Sequence, residues 1–415
     1  MGKAKPFTIP REWFGEAFKQ VKANGGVAGV DGQTIQGFEE NLDDNLYKLW
    51  NRMSSGSYFP QPVMRVEIPK ATGGVRPLGI PTVTDRVAQT VVKMYLEPEL
   101  EKHFHPDSLG YRPGRSAAEA VGVARGRCWR YDWVLDLDIK GFFDNLDHEL
   151  MARAVRRHTD QGWGLLYIER WLTAPVVLAD GTREARGKGT PQGGVISPPL
   201  ANLFLHYAFD AWMGRQCPHI PFERYADDII CHCVSEAQAR WLLDRIEKRL
   251  AACKLELNRE KTGVGYCKDD NRPGNHPNQE FDFLGFTFRP RAAKNARGES
   301  FVGFLPAVSN QAAKAMRQRM RRWRLQHRSH RDLEDLARLI NPVTAGWINY
   351  YGSFYRSALY PVLRHLDRAL ARWAMRKIKR LRGRLGRAMQ WLRGVRSRQP
   401  ELFAHWRLLG AAAGQ

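Results

Sequence analysis

Apolar residues recur along this chain at two spacings, and the spacing changes from region to region. In residues 11–58, Trp13, Phe14, Ala17, Phe18 and Val21 follow the interval of a helix and lead to a glycine-rich turn at Asn24, Gly25, Gly26 and Gly29. This predicts a small helical N-terminal extension over residues 1–60. Residues 62–69 (PVMRVEIP) alternate as a strand does, and Lys70-Ala71-Thr72-Gly73-Gly74-Val75-Arg76 then has the composition of a hairpin turn with a cation at each end. Residues 84–100 return to helical spacing through Val87, Val91, Met94 and Tyr95, with Thr84 placed to cap the helix.

Strand patterns dominate the centre. In residues 133–139 (WVLDLDI), Val134, Asp136 and Asp138 share one face while Leu135, Leu137 and Ile139 share the other. Ile229 and Ile230 follow a second acidic pair in RYADDII, and residues 281–288 (FDFLGFTF) read as one aromatic strand. Helices predicted at 148–157, 198–213 and 235–253 lie between these strands, so the class is α+β, and the polar stretch 268–279 reads as a loop.

Beyond Pro306 the pattern is helical. Ala312, Met316, Met320 and Trp323 make an apolar stripe over residues 310–328, with Arg317, Arg321, Arg324 and Arg328 on the adjoining face. Over residues 361–380, Leu363, Leu366, Leu370 and Trp373 run beside Arg364, Arg368, Arg372, Arg376 and Arg380. Two such paired stripes suit the tracking of phosphates better than a merely solvated face, and Arg suits bidentate phosphate contacts.

Charge sharpens that picture. The 415 residues carry a net +22, and residues 289–415 hold 28 Lys and Arg against 6 Asp and Glu, so the rest of the chain is balanced. A neutral body joined to a cationic region implies a polyanionic partner. No run approaches the roughly 18 apolar residues of a spanning helix, and MGKAKPFTIPR lacks the apolar core of a signal peptide. No membrane partner and a cytoplasmic location are therefore expected. Six cysteines without a CxxC pair give neither a disulfide framework nor a zinc ribbon, and Cys231 and Cys233 read as buried thiols.

Arg224-Tyr225-Ala226-Asp227-Asp228 is the most informative segment. Adjacent carboxylates flanked by apolar strand residues repel when desolvated, and a divalent cation removes the conflict. With Asp138 on a separate strand, three carboxylates could hold two Mg²⁺ ions in the arrangement that activates an attacking oxygen and stabilises a leaving one during phosphoryl transfer.

These residues carry a resemblance. RYADDII, VLDLDIKGFFDNLDH at 134–148 and GTPQGGVISPPLANLFL at 189–205 resemble the reverse transcriptases encoded by bacterial group II introns, in the compact form without an HNH endonuclease domain. VEIPKATGGVRPLGIPTVTDRVAQ at 66–89, LGYRPGRSAAEA at 109–120, LELNREKT at 255–262 and FDFLGFTF at 281–288 continue the likeness in the family's order. NPVTAGWINYYGSFY at 341–355 is similar to its maturase-specific motif.

The resemblance implies a right-hand polymerase: fingers and palm with an antiparallel palm sheet over residues 61–300, and an all-helical basic thumb or maturase domain over residues 301–415. It implies that Asp138, Asp227 and Asp228 are catalytic and bind metal together with the backbone of Ile139, and that two Mg²⁺ ions serve as cofactor with Mn²⁺ as a substitute. It places Lys70, Arg76, Phe143, Gln192, Ala226 and Lys261 at the dNTP, with Phe143 excluding a ribose 2′-OH. Arg112 and Arg115 are expected at the template. Some readings from the residues alone stay open: core packing for Phe143 and Trp347, a plain turn at Gln192, a surface role for Lys261 and structural ion pairs for the two arginines.

The expected partners are group II intron RNA, an RNA template with a DNA primer, dNTPs and target DNA, with a monomer acting in a ribonucleoprotein. Roles in RNA splicing and retrohoming follow. Many relatives continue into a DNA-binding segment and a nuclease with paired cysteines, and the end at Gln415 leads us to expect no second-strand cleavage. A splicing cofactor that chiefly binds RNA, and a domesticated enzyme of phage defence or DNA repair, are the alternative readings.

Overall fold

The computed structural model describes residues 5–69, 74–295 and 297–411. Lys70, an expected dNTP contact, lies outside the described residues. The chain folds as two compact units, residues 1–120 with 133–264 and residues 121–132 with 265–415.

In the first unit the N-terminal helix Glu12–Asn24 buries Phe14, Ala17, Phe18 and Val21, as its spacing predicts, and helices Ile35–Glu39 and Leu42–Ser54 follow it. Strands Val63–Pro69 and Val75–Ile80 pair antiparallel, and the sheet continues through Val176–Val177 to Arg183–Glu184. The next helix is Val83–Glu101, capped by Thr82 rather than Thr84, because the Thr82 hydroxyl accepts from the Asp85 amide at 3.1 Å.

A second sheet runs in the order Phe222–Tyr225, Asp228–Cys233, Trp133–Asp138, Gly263–Tyr266. Its central pairs are antiparallel, with Asp138 opposite Asp228. Cys231 and Cys233 are fully buried, and His232 between them meets Glu223 at 2.7 Å. The helix expected over 198–213 is interrupted: Ser197–Leu205 is α-helical, His206–Asp210 is a π-turn, and Ala211–Gln216 resumes the α-helix. Periodicity does not reveal one inserted residue.

In the second unit the expected strand over 281–288 is two strands, Phe281–Phe283 and Phe286–Lys294, and Ser300–Val308 completes an antiparallel sheet. Leu284 and Gly285 both have positive φ (50° and 80°), the backbone of a two-residue hairpin turn. A Cβ on Gly285 would stand 2.8 Å from the Tyr351 hydroxyl, so glycine is required there.

Helices Asn310–Arg322, Leu333–Tyr351, Tyr360–Lys377, Leu385–Arg398 and Ala404–Ala411 enclose one apolar core containing Met316, Met320, Leu366, Leu370, Trp373 and Trp406. The first of these stops short of Arg328, because Arg324 takes a left-handed conformation (φ 47°) after the Trp323 cap. Trp347 packs on Trp323 with ring centroids 5.7 Å apart, a core position. Among the described residues no helix is long and apolar enough to cross a membrane.

Candidate active site

Tyr225 and Asp228 pair at the end of two antiparallel strands, leaving Ala226 and Asp227 as a two-residue turn. Ala226 has φ 59°, a conformation an L residue adopts at a cost of about 1–2 kcal/mol. The surroundings must hold it there, and Arg224 does so.

Arg224 is fully buried, and all five of its N–H donors are used. Nε and Nη2 grip Asp210 at 2.8 and 2.6 Å. Nη1 donates to Asn202 Oδ1 at 3.0 Å and to the Ala226 carbonyl at 2.9 Å, and Nη2 also reaches Ser108 Oγ at 2.7 Å. Asp210 is presented by the π-turn, a device that often marks a functional site. The strained carbonyl of the acidic turn is thus tied to a buried ion pair.

Gly110 closes the same turn from outside. Leu109 N donates to Arg224 O at 2.7 Å and Asn202 Nδ2 to Gly110 O at 2.7 Å, so the backbone of residues 108–110 lies flat against it. A Cβ at Gly110 would come within 2.3 Å of the Ala226 nitrogen. Gly110→Ala is expected to push the turn aside, lowering polymerisation at least tenfold and stability by about 1–3 kcal/mol, read by primer extension and thermal melting. Full activity in that variant would contradict the close fit.

Residues directly opposite on antiparallel strands place their side chains on one face, so Asp138 and Asp228 neighbour each other beside Asp227. Desolvation first, and then the charges of Asp227 and Asp138, push the Asp228 carboxyl up to about 6, although its side chain reaches solvent. Asp227 is also raised, by desolvation and by Asp138, and the cations Arg76 and Lys261 oppose the shift.

Lys261 Nζ lies 3.0 and 3.3 Å from the two oxygens of Asp138. The segment that carries it is fixed by Asn258 N donating to Asp138 O at 2.8 Å, while Ile139 bridges to Leu257. Among the described residues no group of three or more acidic, His or Cys side chains is already gathered as a metal cluster, and Lys261 engages Asp138. The donor set nonetheless fits a hard divalent cation: all donors are carboxylate oxygens, and their mutual repulsion is what such an ion would relieve.

The other expected residues divide. Arg76 Nε donates to Gln192 Oε1 at 2.5 Å, and Gly79 N donates to Gln192 O at 2.7 Å, so two expected dNTP contacts come together. Phe143 is 7% exposed and stacks edge-on with Phe142, while its carbonyl accepts from Thr190 N at 2.7 Å. It therefore forms part of the core and borders the Gln192 loop. Arg112 is committed elsewhere, with Nε and Nη2 on Glu101 at 2.9–3.1 Å and Nη1 on the carbonyls of His105 and Ser108. Arg115 pairs with Glu119. Both arginines thus hold ion pairs within the protein.

In the second unit Arg364, Arg368, Arg372 and Arg376 are exposed along one helix, and Arg317 and Arg321 stand on another. His365, desolvated and surrounded by Arg321, Arg372, Arg317 and Arg368, is pushed below its ordinary range, so the two rows meet around it. Arg324 is exposed beyond its helix, and Arg328 Nε donates to the Trp323 carbonyl at 2.9 Å.

Comparison with known proteins identifies the family. Residues 68–288 match the family described as reverse transcriptase (RNA-dependent DNA polymerase), and residues 313–391 match the group II intron, maturase-specific domain. The chain is 32% identical to Protein YkfC of Escherichia coli over 62% of this chain and 78% of that protein. It is 35% identical to the group II intron-encoded protein LtrA of Lactococcus lactis over 46% of this chain, but that match spans only 32% of LtrA. A putative COX1/OXI3 intron 1 protein of Saccharomyces cerevisiae is 28% identical over 48% of this chain and 23% of its own length.

Proposed function

Since this chain belongs to the reverse transcriptase family and carries a maturase-specific domain, we propose that it extends the 3′-OH of a DNA primer with dNTPs on an RNA template and binds intron RNA to assist splicing and retrohoming. The observation that carries the polymerase reading is the acidic turn: Asp227 beside the register pair Asp138 and Asp228, with Asp228 pushed up to about 6 by burial and by its neighbours.

The family works with divalent metal ions, and the finer proposal is two Mg²⁺ ions, replaceable by Mn²⁺, held by Asp138, Asp227, Asp228 and the carbonyl of Ile139. When bound, such ions supply the charge that activates an attacking oxygen and stabilises a leaving one. The protein's own residues do the rest. Arg224 and Gly110 hold the turn so that the carboxylates need not reorganise. Arg76, oriented by Gln192, offers a guanidinium to the polyphosphate. Lys261, which pairs with Asp138 at 3.0 Å, would be the group to donate a proton toward a departing pyrophosphate.

The buried Phe143 ring serves as the wall that a 2′-OH would strike. Phe143→Ala is expected to raise ribonucleotide incorporation relative to dNTP by roughly 10–200-fold, the range for filling or opening a pocket by a few carbons. Competing ATP against dATP in single-nucleotide extension measures it, and an unchanged ratio would leave Phe143 with a packing role alone.

The function itself is tested by extension of a DNA primer on an RNA template with four dNTPs and Mg²⁺, with and without chelator. Full-length, chelator-sensitive cDNA is expected; its absence from folded protein that binds the template would overturn the reading. A role confined to RNA binding is favoured by one observation, the arginine rows meeting at His365. Splicing that survives loss of Asp227 and fails on loss of Arg317 and Arg321 would separate the two activities.

A further inference from the structure

Helices Tyr360–Lys377 and Leu385–Arg398 pack against each other, and Ala404–Ala411 lies over them. Between them is a cleft of about 310 Å³, within the size range of roughly 300–1,000 Å³ of ligand sites. Four arginines line it: Arg364 and Arg368 from one helix, Arg393 and Arg396 from the next. None of the four has an ion pair or side-chain hydrogen bond to the described residues. The one acid in the wall, Asp367, is already engaged, its Oδ1 accepting from Trp406 Nε1 at 2.9 Å and meeting His405 Nε2 at 2.8 Å. Leu392 and Trp406 give the cleft an apolar floor.

A solvated basic face spreads its charges over a convex surface. Here two helices turn theirs into one concavity with low-dielectric walls, where like charges raise each other's potential and attract an anion strongly. We propose that this cleft is a phosphodiester site, which clamps the backbone of a nucleic-acid strand between the Arg364–Arg368 and Arg393–Arg396 rows without reading its bases. Arginine in place of lysine suits forked contacts to phosphate oxygens. On the same helix Arg372 and Arg376 prolong the row, and Arg364 to Arg376 covers about 18 Å at ~1.5 Å per residue, the rise of some five nucleotides at ~3.4 Å each. A single small anion would not need that track. Arg393, Arg396 and Trp406 lie beyond the residues that match the maturase-specific domain, while the helix that carries the two arginines begins within them.

The inference rests on the nucleic-acid reading of this unit but not on polymerisation, and binding alone tests it. Affinity of the full chain for a labelled single-stranded RNA is measured by fluorescence anisotropy across a salt series, for the wild type and Arg393→Gln/Arg396→Gln. The double variant is expected to lose at least tenfold in affinity near 0.15 M salt, and its log–log salt dependence to become shallower by about 0.7–1.4, one to two phosphate contacts. Arg393→Lys/Arg396→Lys, which keeps the charge, is expected to recover most of the slope but less of the affinity.

An unchanged slope and affinity in a Gln variant that melts like the wild type would overturn the proposal. So would release of the RNA by inorganic phosphate at matched ionic strength, which would mark a free-phosphate site, or equal competition by poly-glutamate, which would mark an acidic-protein site. Primer extension that fails while this salt signature stands would count against the polymerase alone.

Discussion

Asp227→Asn is expected to lower RNA-templated dNTP incorporation on the order of 10³-fold or more while leaving the protein folded. Asn preserves the shape of the turn and removes one charge from a crowded group. In the free protein that charge is a burden: desolvation and Asp138 both raise the Asp227 carboxyl, and Asp227 in turn raises Asp228. The melting temperature without metal should therefore stay level or rise slightly, the usual sign of a site in which function is held against stability. Divalent cation should raise the melting point of the wild type and do less for the variant, since binding to the folded state alone stabilises it. Loss of activity accompanied by loss of fold would instead make Asp227 a structural residue.

Arg224→Met has the largest expected effect on stability. It leaves Asp210 fully buried without its partner and takes donors from Asn202, Ser108 and Ala226. Breaking one side of a buried pair costs about 3–5 kcal/mol, a fall of roughly 6–20 °C in melting temperature at ~2–4 °C per kcal/mol for a unit of this size. Removing both charges, Arg224→Met with Asp210→Leu, should recover much of the stability, because packed apolar groups often replace a buried pair at little cost. Activity should not return with it. The Ala226 carbonyl would still lack its donor, and the turn that carries Asp227 would relax from its left-handed conformation. Recovery of both together would show that Arg224 serves only the core.

That network also marks where the sequence stopped being legible. Alternation in residues 133–139 and the acidic turn are local signals, so the two central strands and the helices beyond residue 309 could be read from the chain directly, whereas the strand Ser300–Val308, inside the stretch expected to be helical, and the pairing of Asp138 with Asp228 could not. Arg224 could not, since its meaning depends on Asp210 fourteen residues upstream, and a π-turn has no periodic signature. The nearest signal was the adjacent charged pair Glu223 and Arg224 between two aromatic residues of a short strand, since buried charges are rarely left unpaired.

Arg112 illustrates the reverse case. An arginine in a glycine-rich loop suits nucleic acid equally well until Glu101 is seen at 2.9 Å. Of the two arginine rows, the one on Tyr360–Lys377 follows helical spacing as far as Arg376, and Arg380 lies beyond the helix in the 3-10 turn Lys379–Leu381. The other is cut at Arg322, because the αL conformation at Arg324 arises from packing rather than from a glycine or proline. The hairpin at Leu284 and Gly285 was hidden by the unbroken aromatic run around it.

The account comes down to templated chemistry at one acidic turn. A DNA primer annealed to RNA templates that differ only in the next base should be offered each dNTP singly with Mg²⁺, using wild-type protein and a folded Asp227→Asn variant that binds the duplex equally well. The account predicts that the wild type adds only the nucleotide complementary to the RNA base and that the variant adds none on the same timescale. Addition that ignores the template, or equal addition by the variant, would contradict it.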